Sequence, residues 1–214
     1  MSETLTLVIG TRRLSSWSLR PWLALRMAGA AFKEIEIALR QPDTKARILE
    51  FSPSGKVPLL IHGDVKVWDS LAICEYAHEL FPGAGLWPDD AKARAVARAV
   101  AAEMHSGFPN LRSVCAMDVC ATTPLGEVPP EVAAETGRIR AVWADCRQRF
   151  GAKATGKNAG PFLFGRFTIA DAMYAPVVTR FTTYALPQDA TSQAYCDAIW
   201  GLPPMRSWRE SACL

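Results

Sequence analysis

The pattern of apolar residues changes once along this chain, near Gly83, and that change limits what it can fold into. Before the break, strand and helix periods alternate. Leu5, Leu7 and Ile9 share one parity, as in a strand. A polar loop covers 10–18. Residues 22–28 then read as a helix closed by Gly29, with Pro21 in the first turn, where a missing N–H is tolerated. Strand period returns over 32–39, with Ile35, Ile37 and Leu39 on one side and Glu34 and Glu36 on the other. A polar stretch, 40–54, has room for one short helix. Two apolar runs follow, 57–62 and 65–68, joined by Gly63-Asp64 as a tight hairpin turn. A helix over 71–81 ends at Pro82 and Gly83. The order β-α-β-(α)-β-β-α makes the first two strands parallel and the last hairpin antiparallel, in a mixed four-stranded sheet covered by helices.

After the break no strand period of any strength recurs. Residues 84–90 read as a linker containing Gly85 and Pro88. Ala-rich 91–106 is helical and resumes past a disturbance at 107–109 as far as 119. Residues 131–150 carry a helical stripe of Val132, Ile139, Val142, Trp143, Cys146 and Phe150. Residues 168–184 form a nearly all-apolar helix with Pro176 inside it. A short helix near 192–199 and a turn around 204–208 finish the chain. Two units are therefore expected: 1–83 of α/β type, and 91–214 all helical, with 84–90 between them.

Charge then removes classes of partner. The 214 residues include 24 Lys and Arg against 21 Asp and Glu, a net charge of +3. Split at Gly83, the counts are 10 basic to 9 acidic and 14 basic to 12 acidic. Neither unit has the concentrated positive charge of a phosphate-backbone binder, so nucleic acid is not expected. The longest run without a charged residue is nine positions, 80–88. A spanning helix needs about 20, so no membrane partner is expected. No basic segment followed by an apolar one opens the chain, and no export signal is expected. Cys74, Cys115, Cys120, Cys146, Cys196 and Cys213 are scattered, with no C-x-x-C pair, and three isolated histidines add no metal-ligand spacing. A cytoplasmic protein with reduced, mostly buried thiols and no metal is expected.

Several short motifs can carry chemistry. Ser15-Ser16-Trp17-Ser18 precedes the first helix, with Arg20 just inside it. Hydroxyls there cap the helix, or, beside free N–H groups and the positive dipole end, donate to a thiolate or other anion. No histidine lies in this loop, which favours donation over nucleophilic attack. Gly55-Lys56-Val57-Pro58 leads into a strand. Pro58 is a strand-start residue, or, through a cis bond to Val57, turns the Val57 backbone outward for a ligand. Asp69-Ser70 opens a helix and serves as its cap, as a hold for a small carboxylate, or both. Thr168 and Asp171 form a capping box ahead of the apolar helix, a folding feature. His105, Phe108 and Arg112 lie near the disturbed middle of the first long helix, and Tyr174, Arg180 and Tyr184 lie on the apolar one. An arginine there needs an ionic partner, a subunit contact or an aqueous cleft. His105, Phe108, Arg112 and Arg180 are thus candidates for a substrate pocket.

In this order and spacing the motifs resemble a cytosolic glutathione transferase. The similarity spans the chain and is best over 52–82, SPSGKVPLLIHGDVKVWDSLAICEYAHELFP. The loop SSWSLR looks most like the zeta pattern S-S-C-S-W-R, with Ser15 on the catalytic serine, Ser16 on the second serine and Arg20 on the arginine. Trp17 replaces the cysteine and Leu19 the tryptophan. The resemblance implies a thioredoxin-like N-terminal domain, an all-α C-terminal domain, a cytoplasmic homodimer active in detoxification, and glutathione as co-substrate without a metal. It also implies roles. The Ser15 hydroxyl, or that of Ser16, would donate to the sulfur. The Val57 backbone would pair with the cysteinyl unit, and Lys56 would face the glycyl end. Ser70 would meet the γ-glutamyl carboxylate and Asp69 the ammonium, with Trp17 and Pro58 beside the same ligand. The thiolate would attack a small electrophile near His105, Phe108, Arg112 and Arg180. A glutathione-dependent isomerase of the maleylacetoacetate type is an alternative, against which Trp17 counts. A reductase would want cysteine at position 15. A non-catalytic glutathione-binding or scaffold protein is the remaining alternative.

Overall fold

The computed structural model describes residues 4–214. Strands β1 (Leu5–Gly10), β2 (Phe32–Ile37), β3 (Leu59–His62) and β4 (Val65–Trp68) form one sheet in the order β2-β1-β3-β4. β1 and β2 are parallel, with Leu5 opposite Phe32, and the β1–β3 and β3–β4 pairs are antiparallel. This is the mixed sheet that the element order requires. Helix α1 (Ser16–Met27) connects β1 to β2, α2 (Thr44–Leu49) precedes β3, and α3 (Ser70–Leu80) follows β4. Both faces of the sheet are covered. Leu5, Leu7, Ile9 and Leu60 share a core with Leu19 and Leu23 of α1 and Ile73 and Ala77 of α3. Val8, Ile37 and Leu59 form a smaller core with Ile48 of α2.

The rest is helical: α4 (Ala91–Ser106), α5 (Pro109–Val114), α6 (Pro130–Arg149), α7 (Ile169–Thr183), α8 (Ala190–Gly201) and α9 (Pro203–Ala212). The larger core runs without a break from α1 into Val177, Val178 and Phe181 of α7 and Trp208 of α9. The capping box of α7 is present, and the Thr168 N–H donates to Asp171 Oδ2 at 2.8 Å. No helix among the described residues is long and apolar enough to cross a membrane.

Four expectations need correction. Helix α1 begins at Ser16, so Pro21 sits in its interior rather than its first turn. The Ser15 cap starts the helix early, and the missing Pro21 N–H removes one bond of the ladder. Helix α5 stops at Val114 instead of reaching Val119, and Phe108 at its start has φ +60. The turn at 204–208 is helix α9, which opens on Pro203 and Pro204, tolerated in a first turn, and buries Met205 and Trp208. Finally, Cys120 and Cys213, 93 positions apart in sequence, are joined in a disulfide with their Cα atoms 5.7 Å apart. The packing of α9 brings them together, and no local spacing announces such a pair. Cys74, Cys115, Cys146 and Cys196 are buried free thiols, as expected, and burial pushes the Cys146 and Cys196 thiols up to about 12.

Candidate active site

The loop after β1 turns into α1 through a serine network. Ser15 is the N-cap, and its Oγ accepts from the Ser18 N–H at 3.3 Å and donates to Ser18 Oγ at 2.7 Å. Ser18 Oγ accepts in turn from the Gly10 N–H at 3.0 Å, which ties the cap to the end of β1. Ser15 is 5% exposed and Ser16, the first residue of α1, 6%.

Trp17 stands outside this network, 37% exposed. Its ring lies 4.3 Å from the Arg20 guanidinium carbon and 4.8 Å from that of Arg112, with the His105 ring edge-on at 5.3 Å. Arg20 is fully buried, and none of its three guanidinium nitrogens has a hydrogen-bond partner in the protein. Burial foremost, then the neighbouring charges of Arg112 and Arg180, hold its basicity well below the ordinary arginine value.

Two further segments converge on Trp17. The Val57–Pro58 bond ahead of β3 is cis. Asp69, between β4 and α3, takes φ +73, in the left-handed region. Its Oδ1 accepts from the Leu71 N–H at 2.8 Å and caps α3, while Oδ2 lies 3.1 Å from Nε2 of His105 at the end of α4. Ser70 is buried with its hydroxyl unpaired. Trp17, Lys56, Val57, Pro58, Asp69, Ser70 and His105 line one cleft of about 560 Å³, completed by Ser54 and Trp68.

Residues 14–80 match the family model for the glutathione S-transferase N-terminal domain, and 129–211 match that for its C-terminal domain. The chain belongs to the glutathione S-transferase family. It is 32% identical over 118 residues to glutathione S-transferase 1 of Dianthus caryophyllus, covering 55% of this chain and 53% of that protein. It is 33% identical over 103 residues to a probable maleylacetoacetate isomerase of Caenorhabditis elegans, covering 48% and 47%. The chain thus spans about half the length of these curated relatives. A glutathione transferase homologue from Burkholderia gl BGR1, solved with bound glutathione, superposes with a TM-score of 0.70 at 20% identity over 98% of each chain. Glutathione transferase Omega 2S of Trametes versicolor gives 0.72 at 21% identity, over 99% of this chain and 96% of that one. At such identities these two show the shared transferase fold.

Within this chain the residues expected around one ligand divide. The cleft brings together Trp17, Lys56, Val57, Pro58, Asp69 and Ser70, but Ser15 and Ser16 do not line it. Of the four pocket candidates on the helical side, His105 alone does. Phe108 is buried. Arg112 donates through Nε to the Gly107 oxygen at 2.9 Å and through Nη2 to the Met104 oxygen, and so closes the end of α4. Arg180 is buried and finds neither an ion pair nor the cleft. Its Nε donates to the Cys115 oxygen at 2.8 Å and its Nη1 to the Pro176 oxygen at 2.9 Å. Ser54 and Trp68 were missed by sequence. The signal for Trp68 was a large aromatic on a short hairpin strand next to Asp69, and it is 51% exposed.

A second cleft, of about 340 Å³, lies where the linker meets the segment before α7. Its Arg166 is spent on structure, donating to the Gly85 and Trp87 oxygens and to Asp89, each at 3.0 Å.

Proposed function

We propose that the cleft binds glutathione and that the protein transfers it to a small electrophile. The observation that carries this is the convergence of Lys56-Val57-Pro58 and Asp69-Ser70 on one cleft at the N-terminus of α3. The helix dipole and the unpaired Ser70 hydroxyl together suit the γ-glutamyl carboxylate. Asp69 Oδ2 faces the ammonium, the Val57 backbone meets the cysteinyl unit, and Lys56 faces the glycyl carboxylate. Trp17 walls the side on which the sulfur lies.

Ser15 activates the thiol by hydrogen-bond donation in this scheme, which requires its hydroxyl proton to turn from Ser18 Oγ toward the ligand. Ser16 is the alternative donor. The electrophile then sits between Trp17 and His105. We further propose the division 1–83, 84–90 and 91–214, a homodimer, a cytoplasmic location and a role in detoxification. In a reducing cytoplasm the Cys120–Cys213 pair would stand as two thiols.

Similarity to proteins named as maleylacetoacetate isomerases favours glutathione-dependent isomerisation as a second reading. Trp17 at the position of the zeta cysteine counts against it. The engagement of Ser15 within its own loop favours the non-catalytic binding protein as a third.

Retention on immobilised glutathione, followed by conjugation and isomerisation assays, separates the three. Failure to be retained overturns glutathione binding. Retention without turnover identifies a binding protein. The thiolate absorbance of bound glutathione should fall in Ser15→Ala, and an unchanged absorbance moves the role to Ser16.

A further inference from the structure

We propose that His105 is a positioning residue for glutathione: its Nε2–H holds the Asp69 carboxylate toward the ligand's ammonium, and its ionisation sets the lower pH limit of that binding. This rests on the glutathione reading of the cleft.

The geometry gives Asp69 two duties. Oδ1 is committed to capping α3, and Oδ2, 3.1 Å from His105 Nε2, points across to the helical unit. A carboxylate has no proton to offer, so Nε2 is the donor and the neutral ring carries its lone pair on Nδ1. Nδ1 is buried and has no partner. A second proton would therefore enter a site with no acceptor. It would face Arg20 from α1 and Arg112 from α5, with Lys56 on the wall of the same cleft and Asp69 as the carboxylate opposing them. Burial first, then Arg20 and Arg112, keep the ring easier to deprotonate than an ordinary histidine, against the pull of Asp69.

In its neutral form His105 orients Asp69 without cancelling its charge, and the carboxylate remains free to pair with a cation. Once protonated, the ring is itself the cation beside Oδ2 and competes with the ligand's ammonium. Binding should weaken on the acid side of the His105 transition, which lies below the ordinary value of 6.5. S-methylglutathione, which has no thiol, carries no group that titrates between its carboxylates and its amine, so with this ligand the transition belongs to the protein. The role differs from capping, which uses the other oxygen, and from thiol activation, which is assigned to the serine loop.

Two variants separate orientation from titration. Gln at 105 places an amide N–H near the position of Nε2 and cannot ionise, whereas Ala removes the donor. Binding of S-methylglutathione is measured by calorimetry from about pH 5 to 8, with the KM for glutathione in conjugation to a generic aryl halide alongside. Loss of one charge-assisted hydrogen bond should raise Kd and the KM for glutathione of His105→Ala about tenfold. His105→Gln should bind like the wild type at neutral pH and lose the acid-side rise in Kd. An unchanged Kd in His105→Ala, or an acid-side rise retained in His105→Gln, overturns the proposal. The Gln comparison decides the matter even where His105→Ala folds poorly. A wild-type protein that binds no glutathione at any pH defeats instead the reading of the cleft on which this rests.

Discussion

The indole N–H of Trp208 donates to the backbone oxygen of Arg12 at 3.1 Å, across 196 positions of sequence. The same loop is gripped from the other side. Arg13 pairs with Asp118 through Nε at 2.8 Å and Nη2 at 2.7 Å, and the Val119 N–H donates to the Arg13 oxygen at 3.1 Å. Cys120 follows Val119, and Cys213 follows the helix that carries Trp208, so the disulfide joins the two grips. The loop they hold leads directly into the Ser15–Ser18 network.

Reduction should therefore cost stability. A crosslink spanning 93 residues restricts the unfolded chain considerably, and native disulfides typically contribute about 2–4 kcal/mol. Melting in a phosphine reductant should fall by roughly 5–15 °C for a chain of this size. The other four cysteines are buried and unpaired, so Cys213→Ser should show the lowered transition with or without reductant. Identical wild-type melts in both conditions would show that the crosslink adds nothing.

Much of the fold was legible because it rests on short-range physics. The parity of Leu5, Leu7 and Ile9 and the Gly63-Asp64 turn act over a few residues, and the structure places them as read. The Asp69-Ser70 and Lys56-Val57-Pro58 segments were visible for the same reason. What was not legible depends on distant packing. Nothing near Cys120 points to Cys213. Arg180 was expected to need an ionic partner, a subunit contact or an aqueous cleft, yet two backbone oxygens receive its N–H groups, and those become available only when the chain is folded. Ser15 and Ser18 could be seen as hydroxyls near a helix start, but their mutual bond, which turns Ser15 from the cleft, needs three dimensions.

Gly85 should tolerate no side chain. It takes φ +63, and a Cβ there would lie 2.6 Å from Arg166 Nη2, the atom that bonds the Trp87 oxygen. Backbone strain and displacement of Arg166 act together, so Gly85→Ala should lose about 1–3 kcal/mol in urea unfolding. Gly83, two residues away, lacks a positive φ, and its Cβ would meet nothing within 4 Å. Gly83→Ala should leave stability unchanged or raise it by about 0.5 kcal/mol. Equal effects at the two positions would contradict this account of the linker.

The two serines at the start of α1 should separate in stability as well as in chemistry. Ser15 is the N-cap and accepts from the Ser18 N–H, so Ser15→Ala should cost about 1 kcal/mol. Ser16 lies inside the helix and provides no cap, so Ser16→Ala should leave thermal unfolding nearly unchanged. A larger loss at Ser16 than at Ser15 would mean that the cap is misplaced.

The last expectation concerns pH. Asp171 is fully buried and accepts four hydrogen bonds: from the Leu163 N–H at 3.1 Å and the Tyr195 hydroxyl at 3.2 Å on Oδ1, and from the Thr168 N–H at 2.8 Å and its hydroxyl at 2.9 Å on Oδ2. Burial pushes its pKa up to about 6 from 3.8, and the four donors oppose that rise. The folded protein therefore holds this proton more tightly than the unfolded chain does. The resulting contribution to stability is complete below the unfolded value and is lost as pH rises through about 6. Between about pH 4 and 7 the loss is on the order of 3 kcal/mol. Asp171→Asn cannot titrate and turns an amide N–H toward donors, so at neutral pH it should be less stable by about 2–4 kcal/mol. Because the wild type gains from protonation and the variant does not, the gap between them should widen on acidification. Urea unfolding of both proteins at about pH 7 and 4 isolates this group, since every other carboxylate is common to the pair. A gap that stays constant or narrows would show that Asp171 ionises in the folded protein as readily as in the unfolded one.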